Sequence, residues 1–195
     1  MNTCTSALIL ITAAALIGGC SAEGKLASRG ELSGGLWTVK VSSPAFEHQG
    51  EIPELYTRDG LNLSPPLKWS AGPAGLKEWV LIVEDADATA RSGPGKGRPL
   101  CHWLVYKIPA HVTELPERAS EDMKYSQGRN YTGETGYAGP NPPKGKKHRY
   151  YFQLFALDEV QDFAPGLDGA ELVKQFKGHV LSKGQLIGTY TSPKE

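Results

Sequence analysis

Gly136-Tyr137-Ala138-Gly139-Pro140-Asn141-Pro142-Pro143-Lys144-Gly145-Lys146-Lys147-His148-Arg149-Tyr150-Tyr151-Phe152 decides how the rest of this chain is read. Three glycines and three prolines within positions 136–145 exclude a helix or an interior strand there. Proline fixes φ and removes a donor, while glycine adopts dihedrals that other residues avoid. The composition predicts a stiff, shaped loop with exposed backbone N–H groups at its glycines. Directly behind it, His148 to Leu157 carries Tyr150, Tyr151, Phe152 and Phe155 and reads as a strand. A rigid loop entering a strand is a common way to build a binding wall. Lys144, Lys146, Lys147 and Arg149 add a local positive field. The competing reading is an ordinary surface loop with solvated lysines.

Outward from this stretch, Trp79 to Asp85 is apolar almost to its end, as expected of a central strand covered on both faces. It runs into a loop, Asp85-Ala86-Asp87-Ala88-Thr89. After a glycine-, proline- and arginine-containing crossing loop (Arg91 to Pro99), Leu100 to Ile108 reads as a second central strand. Leu36 to Val41 reads as the first strand of the domain. Ala110 to Tyr131 is a charged excursion with room for a helical turn near Ala119 to Met123. Leu167 to Phe176 has helical apolar spacing, with Asp168 placed to cap it and Gly178 to end it.

Asp85 stands at the C-terminal end of one central strand, and His102 and His148 stand near the N-terminal ends of two others. If the first strand runs antiparallel to the other two, all three residues meet at one rim of the sheet. Asp87 projects to the same side, Tyr150 shares the face of His148, and Gly139 to Gly145 forms the wall. Three chemistries fit such a set. Imidazole, phenol and backbone donors suit an anion. A His-His-carboxylate set suits a metal, and a histidine base suits a hydrolase. An Asp–His pair that merely braces the sheet edge is the structural alternative. Cys101, beside His102, admits a nucleophile reading, but its alternation within the strand favours a small buried hydrophobe.

The 195 residues suit one domain able to bury a sizeable core. Lysine plus arginine equals aspartate plus glutamate, 21 each, so global charge argues for neither nucleic acid nor an anionic surface as partner. With 23 glycines and 14 prolines the composition leans to a loop-rich, mainly β protein. Ala7 to Gly19 is an uncharged apolar run, too short for a ~30 Å hydrocarbon core but suited to a signal peptide. It ends Leu16-Ile17-Gly18-Gly19-Cys20, which resembles the lipobox of bacterial lipoproteins. Met1 to Ser6 lacks lysine and arginine, and a buried N-terminal strand is the alternative. The expected organisation is a lipoprotein signal peptide over 1–19, a lipid-anchored flexible tether over 20–35 with Cys20 acylated (palmitate or similar), and a domain over 36–195. Ser21 favours the outer membrane, facing the periplasm, if the organism has two membranes. Cys101 is then the one thiol of the mature domain, with no intramolecular partner.

The motif Gly136-Tyr137-x-Gly139-Pro140-x-Pro142-Pro143-x-Gly145-x-x-His148-Arg149-Tyr150 resembles a signature of the phosphatidylethanolamine-binding protein family, in its bacterial Raf-kinase-inhibitor-like branch. Asn62-Leu63-Ser64-Pro65-Pro66-Leu67-Lys68-Trp69, His102-Trp103, Ile108-Pro109 and Gly178 to Tyr190 are similar to the same family. The likeness covers roughly Trp37 to Tyr190. One segment departs from it: the family usually reads Asp-Pro-Asp-x-Pro, and here both aspartates stand but Ala86 and Thr89 replace the prolines. The resemblance implies an antiparallel Greek-key-type β-sandwich with a few peripheral helices. It also implies a small anion pocket, here Asp85, Asp87, His102, Gly139, Pro142, Pro143, His148 and Tyr150, without catalysis, cofactor or metal. The implied ligand is phosphate, carboxylate or a phospholipid headgroup, and the anchored lipid gives membrane contact. Members resembling this chain also inhibit kinases or proteases, so a protein partner met by surface loops is an alternative. A metal-assisted envelope hydrolase using the Asp/His/His rim is another.

Overall fold

Trp79-Val80-Leu81-Ile82-Val83 is buried on both sides because its strand lies in the interior of the larger of two sheets. The computed structural model describes residues 25–92, 96–122 and 124–193. The predicted signal peptide, Cys20 and the first tether residues lie outside them. The chain is mainly β. In order come β1 (Leu36–Trp37), β2 (Val41–Ser42), β3 (Leu67–Trp69), β4 (Glu78–Thr89), β5 (Pro99–Pro109), β6 (Glu114–Leu115), β7 (Ser126–Gln127), β8 (Lys147–Leu157), α1 (Gly169–Phe176) and β9 (Val180–Thr191). The large sheet has the order β1-β9-β8-β4-β5-β7 and the small one β2-β3-β6. β4 is antiparallel to both its neighbours, β5 and β8.

Two apolar layers lie on the two faces of the large sheet. On one side Leu67, Trp69 and Leu115 of the small sheet pack with Trp79, Leu81, Val83, Phe152 and Leu154. On the other, Val80, Ile82, Leu104, Tyr106 and Phe155 pack under Leu172, Val173 and Phe176 of α1. The helix forms where its spacing predicts. Asp168 accepts from the Glu171 N–H while the Glu171 side chain accepts from the Asp168 N–H, a capping box that satisfies donors at the first turn. Gly178 follows with φ of 96°, a conformation that costs glycine little.

Four expectations are corrected. Leu36 to Val41 is not one strand: β1 pairs parallel with β9, whereas β2 pairs with β3 in the other sheet, and buried Val39 sits at the crossing. The Asp85–Thr89 segment is not a loop but the end of β4. With Ala86 and Thr89 in place of prolines it keeps two more N–H groups, and Thr89 pairs with Pro99. Around Ala119 the chain makes hydrogen-bonded turns, Ala119 N–H to Pro116 O and Glu121 N–H to Arg118 O, rather than a helix.

The fourth correction concerns the tether. Residues 25–33 are docked on the helix-side face, with Leu26, Ala27 and Leu32 buried. Ala27 N–H donates to Glu84 Oε2 and Ser28 N–H to Gln153 Oε1. Lys183, itself buried, donates to the carbonyls of Ser28, Leu32 and Ser33 at 3.0, 2.9 and 3.0 Å. The anchors are distant in sequence, which is why local polarity gave the wrong reading.

Candidate functional site

The rim forms because β4 is flanked on both sides by antiparallel strands. Asp85 faces Leu100 on β5 and Tyr150 on β8, so His102 and His148 lie close to it along their own strands. One further device is needed. Val83 pairs with Trp103 but Glu84 pairs with Cys101, which leaves His102 as the extra residue of a β-bulge. Bulges re-aim side chains. Here Trp103 enters the core between the sheets, Cys101 packs towards the helix side, and His102 is turned to the rim.

The two histidines are held differently. His102 Nδ1 lies 2.6 Å from the Ala138 carbonyl, and Ala138 N–H donates back to the His102 carbonyl at 2.8 Å. Burial lowers the His102 pKa, against the raising influence of the Ala138 carbonyl and Asp85. Nδ1 therefore carries the proton of a neutral ring, and Nε2 is a buried acceptor with no partner among the described residues. His148 Nδ1 lies 2.7 Å from Asp85 Oδ2. The other oxygen of Asp85 accepts from Asp87 N–H at 2.8 Å. That carboxylate fixes the orientation of the His148 ring.

Asp87 is engaged by Arg149: its Oδ2 accepts from the backbone N–H and Nε at 2.8 and 2.9 Å, and its Oδ1 from Nη2 at 2.6 Å. Burial raises the Asp87 pKa, but these bonds outweigh it and hold the carboxyl below its ordinary range. Tyr150 stands edge-on to His102 with ring centroids 5.1 Å apart. Its buried hydroxyl has the Asn141 backbone N–H beside it, at a geometry short of a full hydrogen bond. Burial, then Asp85, Tyr137 and Tyr131, push that hydroxyl well up, with the Asn141 backbone N–H acting the other way.

Asp85, Asp87, His102, Pro142, Pro143 and His148 line one cavity of about 510 Å³. Two of the predicted residues do not line it. Tyr150 is 1% exposed and lies beneath it. Gly139 is spent on the fold: its N–H donates to Asn62 Oδ1 at 2.7 Å, and a Cβ there would meet the Tyr56 carbonyl at 2.6 Å. The predicted row of exposed glycine N–H donors is thus overturned. Gly136 N–H goes to the Gly128 carbonyl and Gly145 N–H to Ser192, because a loop this rigid needs its own backbone bonds. Arg91, Tyr131 and Asn141 also line the cavity. Sequence reading missed them because they sit on irregular segments with no periodicity. Among the described residues, no group of three or more His, Cys, Asp or Glu is arranged to hold a metal ion. Cys101 is half-buried, and burial, then Glu84, raises its thiol well above the ordinary range.

With the geometry in place, comparison with known proteins gives one consistent result. The family model described as phosphatidylethanolamine-binding protein matches residues 42–191. A UPF0098 protein of Methanothermobacter thermautotrophicus is 38% identical over 156 residues, covering 78% of this chain and 98% of that protein. Among solved structures, a phosphatidylethanolamine-binding protein homologue from Chlamydia trachomatis superposes with a TM-score of 0.69 at 39% identity, covering 78% of this chain and 96% of that one. YbcL of E. coli gives the same TM-score at 29% identity, with 78% and 98% covered.

Proposed function

We propose that this chain, which belongs to the phosphatidylethanolamine-binding protein family, is a binding protein for a small phosphorylated or otherwise anionic group held at the rim cavity. The observation that carries this reading is the cavity floor. His102, which lines the cavity, has a buried Nε2 without a partner among the described residues, and leaving it so costs about 1–3 kcal/mol. Groups of this kind are normally satisfied by water or a ligand. A phosphate monoester supplies what they lack. Its O–H can donate to His102 Nε2, and its anionic oxygens can accept from the Arg91 guanidinium and from an imidazolium at His148. Asp85 repels a bare dianion, so its task is to orient His148. Arg91 at the cavity wall adds positive charge.

Calorimetric titration with phosphoethanolamine tests this. His148→Ala should lose a charge-assisted bond of ~1.5–3 kcal/mol, about ten- to a hundredfold in affinity. Unchanged affinity in His148→Ala would refute the pocket reading and favour inhibition of a partner protein through surface loops.

The likeness of Leu16 to Cys20 to a lipobox supports a second part of the reading, in which Cys20 carries lipid and tethers the domain to an envelope membrane. Cys20→Ser should then change both membrane partition and mass in the source-type cell. The same partition and mass as the parent would sink the claim.

A further inference from the structure

A cavity of about 440 Å³ opens at the other end of β4, around Glu78. Glu78 starts the strand, seven residues before Asp85 and roughly 23 Å from it along the strand. It is 3% exposed. Among the described residues its carboxylate has one hydrogen bond, and that bond is long: Oε1 accepts from Gln161 N–H at 3.4 Å. Burial raises the Glu78 pKa, against the lowering by that bond and by Lys107. Glu84, buried on the same strand, makes the contrast, because two donors hold its carboxylate at 2.8 and 2.7 Å. Gln161 lines the same cavity, and its buried Nε2 has no partner among the described residues. Buried polar groups are normally satisfied. Here an acceptor and a donor, both withdrawn from bulk water, border one cavity without being matched.

Lys77, Lys107 and Asp162 complete the charged lining. A β-bulge helps to place Lys107: Trp79 pairs with Ile108 and Leu81 with Val105, so β5 holds one residue more than β4 between these pairs. Lys107 reaches Asp162 only at 3.8 Å, and the Asp162 side chain is fully exposed. Such a pair is worth little and opens easily. Two cationic and two anionic side chains therefore border the cavity. Glu78 repels a bare anion, and the two ammonium groups repel a bare cation. We propose that this cavity binds a small zwitterion with an ammonium and a carboxylate on one carbon, as in a free α-amino acid. The ammonium donates to Glu78, and the carboxylate accepts from Gln161 Nε2 and from Lys77 and Lys107. Val160, 67% exposed, and Pro109 give the ligand's side chain an apolar contact. The site is separate from the rim and does not depend on what the rim binds.

Leucine, leucinamide and 4-methylpentanoate separate the two charges, since the second lacks the carboxylate and the third the ammonium. Each is titrated into isotope-labelled protein while backbone amide shifts are followed by NMR, which reports where binding occurs as well as how tightly. Leucine should give saturable shifts at residues 77–78, 107–108 and 160–162, and each analogue should bind about tenfold more weakly or worse. Two variants assign the ends. Glu78→Gln keeps the shape of the side chain but not its charge, so it should weaken leucine about tenfold and leave 4-methylpentanoate unweakened. Lys77 is exposed, so Lys77→Met leaves the fold intact. It should weaken leucine and 4-methylpentanoate but not leucinamide. This second variant decides the matter even if Glu78→Gln does not fold. Absence of saturable shifts at this end of β4, or leucine shifting the rim amides instead, overturns the proposal. Equal affinity for leucine and either analogue overturns it too, as does a Lys77→Met protein that binds all three as the parent does.

Discussion

His102 and His148 share a cavity yet present opposite chemistry to it. The first is anchored through Nδ1 to a carbonyl and kept neutral by burial, so it offers a lone pair. The second is anchored through Nδ1 to a carboxylate, so it can take a proton and offer a donor. A ligand must therefore bring both an acceptor and a donor, which a bare carboxylate does not. Asp85→Asn separates orientation from charge at this point. It removes a repulsive charge but also one of two acceptor oxygens: if the amide oxygen stays with Asp87 N–H, the NH2 faces His148 Nδ1 and no longer fixes that ring's tautomer. Orientation should dominate, because a neutral amide leaves the ring free to turn its acceptor face to the anion. The expected result is phosphoethanolamine binding weaker by about tenfold, roughly the worth of one charge-assisted bond. Several-fold tighter binding would show that Asp85 acts only by repulsion. At this scale the sequence was informative in part: strand ends and the period of two bring Asp85 and His148 to one rim, while His102 needs the bulge as well. They could not reveal that Arg149 is committed to Asp87, or that Gly139 donates to Asn62, because those bonds join segments far apart in sequence.

At the scale of elements, the legible features were those with a local physical cause. The apolar run of β4 and the spacing and cap of α1 are written within a dozen residues each, and the structure follows them. The β-bulge at His102 is not written in this way. Leu100 to Ile108 reads as an unbroken strand, and only its pairing with β4 decides which residue is extra. That single insertion separates Cys101 from Trp103 and places them on opposite faces. The division of Leu36–Val41 between two sheets has a similar origin. Val39 N–H bonds the Lys183 carbonyl, while Val41 pairs with Trp69, so two remote partners pull one short apolar run apart. Where Ala86 and Thr89 stand, the absence of proline lets β4 continue past Asp85, and that extension positions Asp87 for Arg149.

For the molecule as a whole, the docked N-terminal segment and the rim meet the same strand, β4, at adjacent buried carboxylates. Glu84, one residue from Asp85, faces the other way and accepts from Ala27 N–H at 2.8 Å and Gln153 Nε2 at 2.7 Å. Burial raises its pKa despite those bonds. His102 is shifted in the opposite sense, and the two set a pH profile of stability with two flanks. The unfolded chain protonates its histidine before the native one does, so native stability falls as pH drops below the ordinary imidazole value of ~6.5 towards the lowered one. For Glu84 the native state holds its proton more tightly. Stability from that source is fully present below the ordinary ~4.3 and is lost as pH rises through the raised native value. Glu84→Gln isolates the second flank, because glutamine keeps an acceptor for Ala27 and Gln153 but never ionises. Urea denaturation of both proteins at about pH 5 and about pH 8 should show the variant gaining on the parent at the higher pH, by at most about 1.4 kcal/mol for each pH unit that the titration spans. Amide exchange over residues 26–33 should slow in the variant over the same interval, since the parent's buried carboxylate and not the sheet is what weakens there. If the stability difference is the same at both pH values, Glu84 does not titrate in this range.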